Sequence, residues 1–328
     1  MTTPDRQPPQ RSILLWHIHG SWTQAFVAGR HRYLIPVTEA GDEDGRGLCG
    51  RDWPNATEVA PEALGASDVD LVILQRPGEL ELAQCWLGRR LGTEIPAVYV
   101  EHNTPRPYAV DSSHPMAGRS DITIVHVTDF NRLMWDNGRA PTTVIDHGIA
   151  DPGPRYTGEI AAAAVTINEP VRRGRTVGTD LLVEFGRSVP IEVWGMGTEE
   201  LNHPERLRPG VVGHGDRPGP ALWDELARRR VYLHTARWTS LGLSLLEAMY
   251  LGMPVVAVAA TMAPLVVPRD AGVVSADPAV LGRALEELVA DPDHARAAGA
   301  AAREHARKQY GLDRFLHAWE HLIEAQCA

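Results

Sequence analysis

The sequence predicts an α/β protein of two Rossmann-like domains in series. Three observations predict it. Short, continuous apolar runs alternate with amphipathic stretches, the pattern left by parallel strands buried on both faces and by the helices that cover them. The alternation breaks at Asp151-Pro152-Gly153-Pro154 and then restarts. A chain of 328 residues is also longer than one core usually serves.

In chain order, residues 1–11 are polar and proline-rich with no apolar run, and are expected to form a disordered leader rather than a signal peptide. Strands are expected at 12–17 (SILLWH), 70–74 (DLVIL), 97–100 (AVYV) and 122–127 (ITIVHV). Leu80, Ala83, Leu87 and Leu91 give helical spacing over 78–91. These elements make a first domain over 12–150. A second, over 151–311, has expected strands at 161–167, 191–194, 231–234 and 254–258, with helices at 178–188, 221–229 and 243–251. The end of the chain reads as helix over 279–290, 294–309 and 312–325.

The bulk chemistry narrows the function. A formal net charge of −10 argues against binding nucleic acid through its phosphates, yet leaves room for a local basic pocket. Cys49, Cys85 and Cys327 are scattered and form no C-x-x-C pattern, as expected of free thiols in the cytoplasm. No apolar run approaches the roughly 20 residues of a membrane span. Asp68-Val69-Asp70 has the form of a metal-binding D-x-D, but it lies at the start of a strand, away from the ligand end of such a sheet, and reads as a solvated turn. His17 and His19 alternate on one face with no third ligand in sight, so no metal is expected.

Ligands of Rossmann-like sheets lie beyond the carboxyl ends of the strands. The most informative segment there is 240–256, SLGLSLLEAMYLGMPVV. Gly242 opens a helix, Leu245, Leu246 and Met249 form its apolar face, Gly252 ends it, and Pro254 starts a buried strand. A helix N-terminus offers free N–H groups and positive partial charge to a phosphate, and glycine lets the ligand come close. Glu247, one turn in, is placed to accept two hydrogen bonds from a diol such as ribose. The residues alone equally admit a buried helix–strand unit in which Glu247 caps or forms an ion pair.

This segment resembles the donor-site signature of retaining family-4 glycosyltransferases of the GT-B fold, E-x-F-G-L-x-x-x-E-A-M-x-x-G-x-P-V-V. The match covers Gly242, Leu243, Glu247, Ala248, Met249, Gly252, Pro254, Val255 and Val256. The resemblance implies two Rossmann-like domains with a cleft between them, a nucleotide-sugar donor on the second and an acceptor on the first. It implies that Glu247 binds the ribose, and that the backbone at Gly242, Leu243 and Ser244 meets sugar and diphosphate. Thr239 stands where the family has its first Glu, and Leu241 replaces the Phe. Thr239 keeps a hydrogen-bonding hydroxyl toward the donor sugar, without charge.

Further stretches extend the likeness. Residues 168–175 (NEPVRRGR) and 177–182 (VGTDLL) resemble the family's G-R-x-x-x-x-K-G-x-D-x-L region. Val177 replaces the Lys, and Arg172, Arg173 and Arg175 cluster beside it; Arg172 and Arg175 are the expected stabilisers of the departing diphosphate. A solvated basic loop is the alternative. Gly195 in 194–197 (WGMG) and Gly213 in 213–215 (GHG) resemble turns beside the donor. In the first domain, Gly20 and Ser21 lie in 19–22 (HGSW), where the family has a glycine-rich loop. His102, after the strand at 97–100, stands where the family often has a His facing the donor sugar. Either it is catalytic or it makes a structural loop contact. Residues 146–149 (DHGI) resemble the crossing between domains. The helix over 312–328 resembles a tail returning to the first domain, with Trp319 and Leu322 in contact, although its pattern alone also fits a core helix.

The implied activity is metal- and cofactor-independent transfer, with retention, from a UDP-, GDP- or ADP-linked sugar to an unidentified acceptor. Two other readings stay open: a non-catalytic nucleotide-sugar-binding relative or partner subunit, motivated by Thr239 and Val177, and a GT-B nucleotide-sugar epimerase.

Overall fold

The computed structural model describes residues 9–203 and 209–328. Most of the expected leader lies outside them. The chain forms two compact units, Met1–Gly148 with Leu312–Ala328, and Ile149–Gly311.

The first unit is built on a seven-stranded parallel sheet in the order β3-β2-β1-β4-β5-β6-β7. Its strands are β1 (Ser12–Leu15), β2 (Arg32–Pro36), β3 (Ala56–Val59), β4 (Leu71–Leu74), β5 (Ala97–Glu101), β6 (Thr123–His126) and β7 (Thr142–Val144). Its helices are α1 (Gly20–Val27), α2 (Pro61–Leu64), α3 (Glu79–Leu87) and α4 (Asp129–Met134). The central strands are apolar without alternation because both faces are covered: Ile13 to Leu15 and Leu71 to Leu74 have no exposed surface. Helix α3 stops at Leu87 rather than at 91, because Gly88 takes the left-handed conformation (φ 63°) and caps it.

The second unit has a six-stranded parallel sheet, order β10-β9-β8-β11-β12-β13. The strands are β8 (Ile160–Thr166), β9 (Ile191–Trp194), β10 (Val211–Gly213), β11 (Arg229–His234), β12 (Val255–Val258) and β13 (Gly272–Ser275). The helices are α5 (Pro170–Arg173), α6 (Thr179–Phe185), α7 (Gly219–Arg228), α8 (Leu243–Leu251), α9 (Ala263–Val266), α10 (Pro278–Ala290) and α11 (Pro292–Gln309). One core joins the inward faces of β8, β9 and β11 to α6 and α10 through Val165, Leu182, Phe185, Val193, Leu233 and Leu285.

The last helix, α12 (Leu312–Gln326), belongs to the first unit. Its buried face, Phe315, Trp319 and Ile323, packs on α1. The Trp319 ring lies 4.9 Å from Phe26 and 5.8 Å from Trp22. Glu320 pairs with Arg30 and with His31 (3.1 Å). No helix among the described residues is long and apolar enough to cross a membrane.

Both strand orders reverse direction once. The reversals fall between β1 and β4 in the first unit and between β8 and β11 in the second. Neighbouring crossovers there run to opposite faces, which opens a crevice at the carboxyl ends of those strands.

Candidate functional site

Part of the expected set lies in the loops at these two reversals: Gly20 and Ser21 follow β1, Arg172 to Arg175 follow β8, and Thr239 to Glu247 follow β11, whereas Gly195 follows β9 and Gly213 ends β10. In the second unit, the loop after β8 and the loop after β11 are bonded to each other. The Arg237 and Trp238 amides donate to the Thr176 carbonyl (2.9 and 3.3 Å), and the Thr235 hydroxyl donates to the Val177 carbonyl (2.6 Å). Gly178 makes this approach possible, since a Cβ there would lie 2.2 Å from the Thr235 carbonyl oxygen. Helix α8 then opens at Gly242 with no side-chain cap, leaving its N-terminal amides without a hydroxyl or carboxylate from the cap residue. Tyr232 and Ser244 share a hydroxyl hydrogen bond of 3.0 Å that holds the first turn to β11. Glu247 is half-buried one turn further on, close enough for its charge to act on Tyr232.

The four glycines predicted to serve the donor divide into two kinds. A Cβ on Gly195 would sit 2.2 Å from the Ile167 carbonyl oxygen, and one on Gly213 would sit 1.9 Å from that of Thr198. Both are demanded by backbone packing. Gly20 and Gly242 are not: the nearest atoms would be Arg51 Nη2 at 3.6 Å and His234 Cε1 at 3.3 Å. Their bare backbone is the kind a ligand approaches.

The arginines are less gathered than their spacing suggests. Arg172 is exposed and paired with Glu169, three residues away. Arg175 is exposed and paired with Asp180 (2.8 Å), which also holds Arg237 through two bonds of 2.6 and 2.9 Å. Arg173 is half-buried. Val177, at the position of the family's Lys, is buried, so its side chain faces the core. Arg237 escaped the sequence reading because it lies in another loop; it meets Arg175 through the shared Asp180 and by donating from Nη1 to the Arg175 carbonyl (2.9 Å).

Thr239 Oγ1 is buried with no hydrogen-bond partner among the described residues. His234, at the end of β11, was also not anticipated; its ring lies beneath Gly242, and burial pushes it down to about 4, so it is neutral. The only sequence signal for it is a polar residue closing an apolar strand. Beside Gly213, His214 stacks on Trp194 (4.8 Å) and bonds Glu192 (2.7 Å).

In the first unit, His19 is the N-cap residue of α1, Gly20 its first residue, and exposed Ser21 its second. His102, after β5, lies with its ring 4.0 Å from that of His19 and 5.1 Å from the Trp22 indole. Its Nε2 is 3.0 Å from Gln75 Oε1. His147, after β7, is buried close enough to act electrostatically on His102. Burial keeps all three imidazoles neutral: His19 falls to about 4, His147 to about 3, and His102 well below its ordinary value. Only His102 is legible as a candidate in the sequence, because the trio comes from three separate loops.

Among the described residues, no three or more His, Cys, Asp or Glu side chains form a group able to hold a metal ion. Asp70 accepts from the Ser12 amide (2.7 Å) and pairs with Arg11 (3.5 Å) at the amino ends of β1 and β4, remote from the carboxyl-end loops.

Residues 199–305 match the family described as "Glycosyl transferases group 1". No curated protein matches the chain. Several solved structures share its fold. HepE from Anabaena, in complex with UDP and glucose, is 15% identical over 96% of this chain and 100% of that one, with a TM-score of 0.70. Sucrose-phosphate synthase from Thermosynechococcus elongatus is 14% identical over 96% of this chain and 99% of that one, TM-score 0.69. TarM from S. aureus, in a complex that includes UDP, is 16% identical over 77% of this chain and 55% of that one, TM-score 0.63. The chain thus spans about half the length of TarM. The chain has the two-domain α/β architecture of the GT-B glycosyltransferases, and its residues 199–305 are similar to the group 1 glycosyl transferases.

Proposed function

We propose that the chain is a glycosyltransferase that moves a sugar from a nucleoside-diphosphate donor to an acceptor hydroxyl, with retention and without a metal. The observation that carries this reading is the opening of α8. Its N-terminus lacks a side-chain cap, its first residue follows a glycine whose bareness no backbone contact demands, and Glu247 lies one turn inside it. All of this falls within the stretch that matches the group 1 family. Uridine is the favoured base, because HepE and TarM were each solved with UDP.

In this reading the diphosphate lies at the N-terminal amides of α8, where the helix dipole and bare backbone favour an anion. Glu247 accepts from the ribose hydroxyls. Arg172, Arg173 and Arg175, with Arg237 alongside, supply positive charge on the β8 side of the crevice. Thr239 Oγ1, buried and unpartnered, is available to a sugar hydroxyl. The bond from the anomeric carbon to the diphosphate oxygen breaks as the acceptor oxygen bonds to the same face of that carbon. The acceptor proton passes to the departing phosphate, so no separate base is required. His102 is the first-unit residue that the family resemblance assigns to the sugar.

Calorimetric titration with UDP, GDP and ADP tests the donor site. We expect one nucleotide to bind, UDP first, and Glu247→Ala to weaken it about 10- to 100-fold, since hydrogen bonds to a charged group are worth about 1.5–3 kcal/mol. Equal binding by the variant overturns the assignment of Glu247. Product NMR showing an inverted anomeric centre overturns retention. A second reading has specific support: Thr239 carries no charge and Val177 is buried, so two groups that act on the donor in the resembling family are missing. Nucleotide-sugar binding with neither transfer nor hydrolysis selects that non-catalytic reading.

A further inference from the structure

Gln75 directly follows β4, at the strand-order reversal of the first unit, and is almost fully buried. Its surroundings allow one orientation of its amide. Nε2 donates to the Trp16 carbonyl (2.8 Å), and a carbonyl accepts only from the NH₂ end. Oε1 is therefore the end that faces His102 Nε2, at 3.0 Å. The Gln75 backbone is fixed as well: its amide donates to the buried Glu79 carboxylate (2.6 Å), and its carbonyl accepts from the Tyr99 hydroxyl (3.3 Å). One side chain thus ties together the carboxyl ends of β1, β4 and β5.

An amide oxygen only accepts, so the imidazole nitrogen facing it must carry the hydrogen. A neutral imidazole has a single N–H, and the other nitrogen is then a lone-pair acceptor. We propose that Gln75 is a positioning residue that holds His102 as the Nε2–H tautomer and so leaves Nδ1 as its acceptor for a sugar hydroxyl. The tautomer follows from the contacts of this chain alone; the sugar hydroxyl rests on the transferase reading. The consequence for ligand chemistry is specific. His102 in this state accepts from a hydroxyl through Nδ1 and has no N–H to spare for a phosphate. Recognition by His102 in the first unit thus falls to an acceptor nitrogen, suited to a hydroxyl rather than to a phosphate. Burial holds His102 neutral, and His19 and His147 beside it further disfavour its protonation.

The test uses the full chain labelled with ¹⁵N in its histidine rings, with the His102 signals assigned by their loss in His102→Gln. We expect wild-type His102 to carry its hydrogen on Nε2 at neutral pH; a hydrogen on Nδ1 overturns the proposal. Gln75→Met keeps the volume and removes the bond. We expect it to mix the two tautomers and lower kcat for donor turnover about 10-fold or more, with UDP affinity within twofold of wild type. An unchanged His102 spectrum in Gln75→Met overturns the role of Gln75. A changed spectrum with unchanged turnover overturns the role of Nδ1 as acceptor for the sugar. A wild-type chain with the expected spectrum that turns over no donor refutes the transferase reading and leaves the tautomer assignment standing.

Discussion

Gly213 and Gly242 follow the same sequence logic, a glycine at the carboxyl side of a strand, yet they face different constraints. A methyl at 213 would be driven into the Thr198 carbonyl at 1.9 Å, whereas one at 242 would meet an imidazole edge at 3.3 Å, which can give way. We expect Gly213→Ala to destabilise the protein by about 1–3 kcal/mol, the usual cost of overpacking, in urea unfolding. Gly242→Ala should melt close to wild type and lose nucleotide affinity in calorimetry. The opposite pattern would remove Gly242 from the ligand path. The arginines allow a parallel separation. Arg172 and Arg175 are exposed and locally paired, and such pairs contribute about 0–1 kcal/mol. Arg172→Ala and Arg175→Ala should leave the melting temperature almost unchanged and lower donor turnover. A loss of stability without a loss of turnover would assign both to the fold.

At the scale of elements, α12 anchors the helix that starts at Gly20. Trp319 is buried against Trp22 and Phe26, and Glu320 ties α12 to Arg30 and His31. Removing a buried indole forfeits its transfer energy and leaves a cavity, together about 3–5 kcal/mol. We expect Trp319→Ala to lower the urea midpoint accordingly. We expect it also to disturb the His19–His102 contact, because α1 carries His19 at its cap, Trp22 against His102, and Phe26 against Trp319. The ¹⁵N-histidine spectrum reads that second effect separately. A Trp319→Ala protein with wild-type stability would mean that α12 is dispensable to the first unit.

Across the whole molecule, buried neutral histidines set a common pH dependence. His19, His126 and His234 fall to about 4 and His147 to about 3, all through burial. In the unfolded chain each takes up its proton near pH 6.5, while the folded state resists until near pH 4. Between those values the unfolded state binds more protons, so stability falls as pH falls. The contribution is fully present above about pH 6.5 and declines by up to about 1.4 kcal/mol per pH unit for each group. Urea midpoints should therefore be flat from pH 8 to 7 and drop clearly by pH 5. The drop should affect both units, since His234 lies in the second and the others in the first. A midpoint unchanged between pH 7 and 5 would show that these rings are accessible to protons in the native state.

The sequence by itself determined what local physics can encode. Strands covered on both faces appear as continuous apolar runs, and the glycines bracketing residues 243–251 set both ends of α8, the element most tied to the proposed donor site. Helices α10, α11 and α12 were legible from the 3.6-residue spacing of their buried faces. Strands β3 and β7 were not, because edge strands bury little and carry no apolar run. Strand β2 and helix α1 were missed as well. Tyr33, Leu34 and Ile35 are buried, but the run is short and lies between an arginine and a proline. Strand β13 opens on a glycine pressed against the Val255 backbone, and its pattern alone reads as a turn. Strand order, and with it the two reversals that locate the crevices, was decided only by the tertiary structure. So were the capture of Arg175 and Arg237 by Asp180, the burial of Val177, and the meeting of Gln75, His19, His102 and His147. The physical reason is common to all of them: each depends on contacts between groups far apart in the chain, whose pairing is selected by the free energy of the packed fold and leaves no mark on the residues immediately around them.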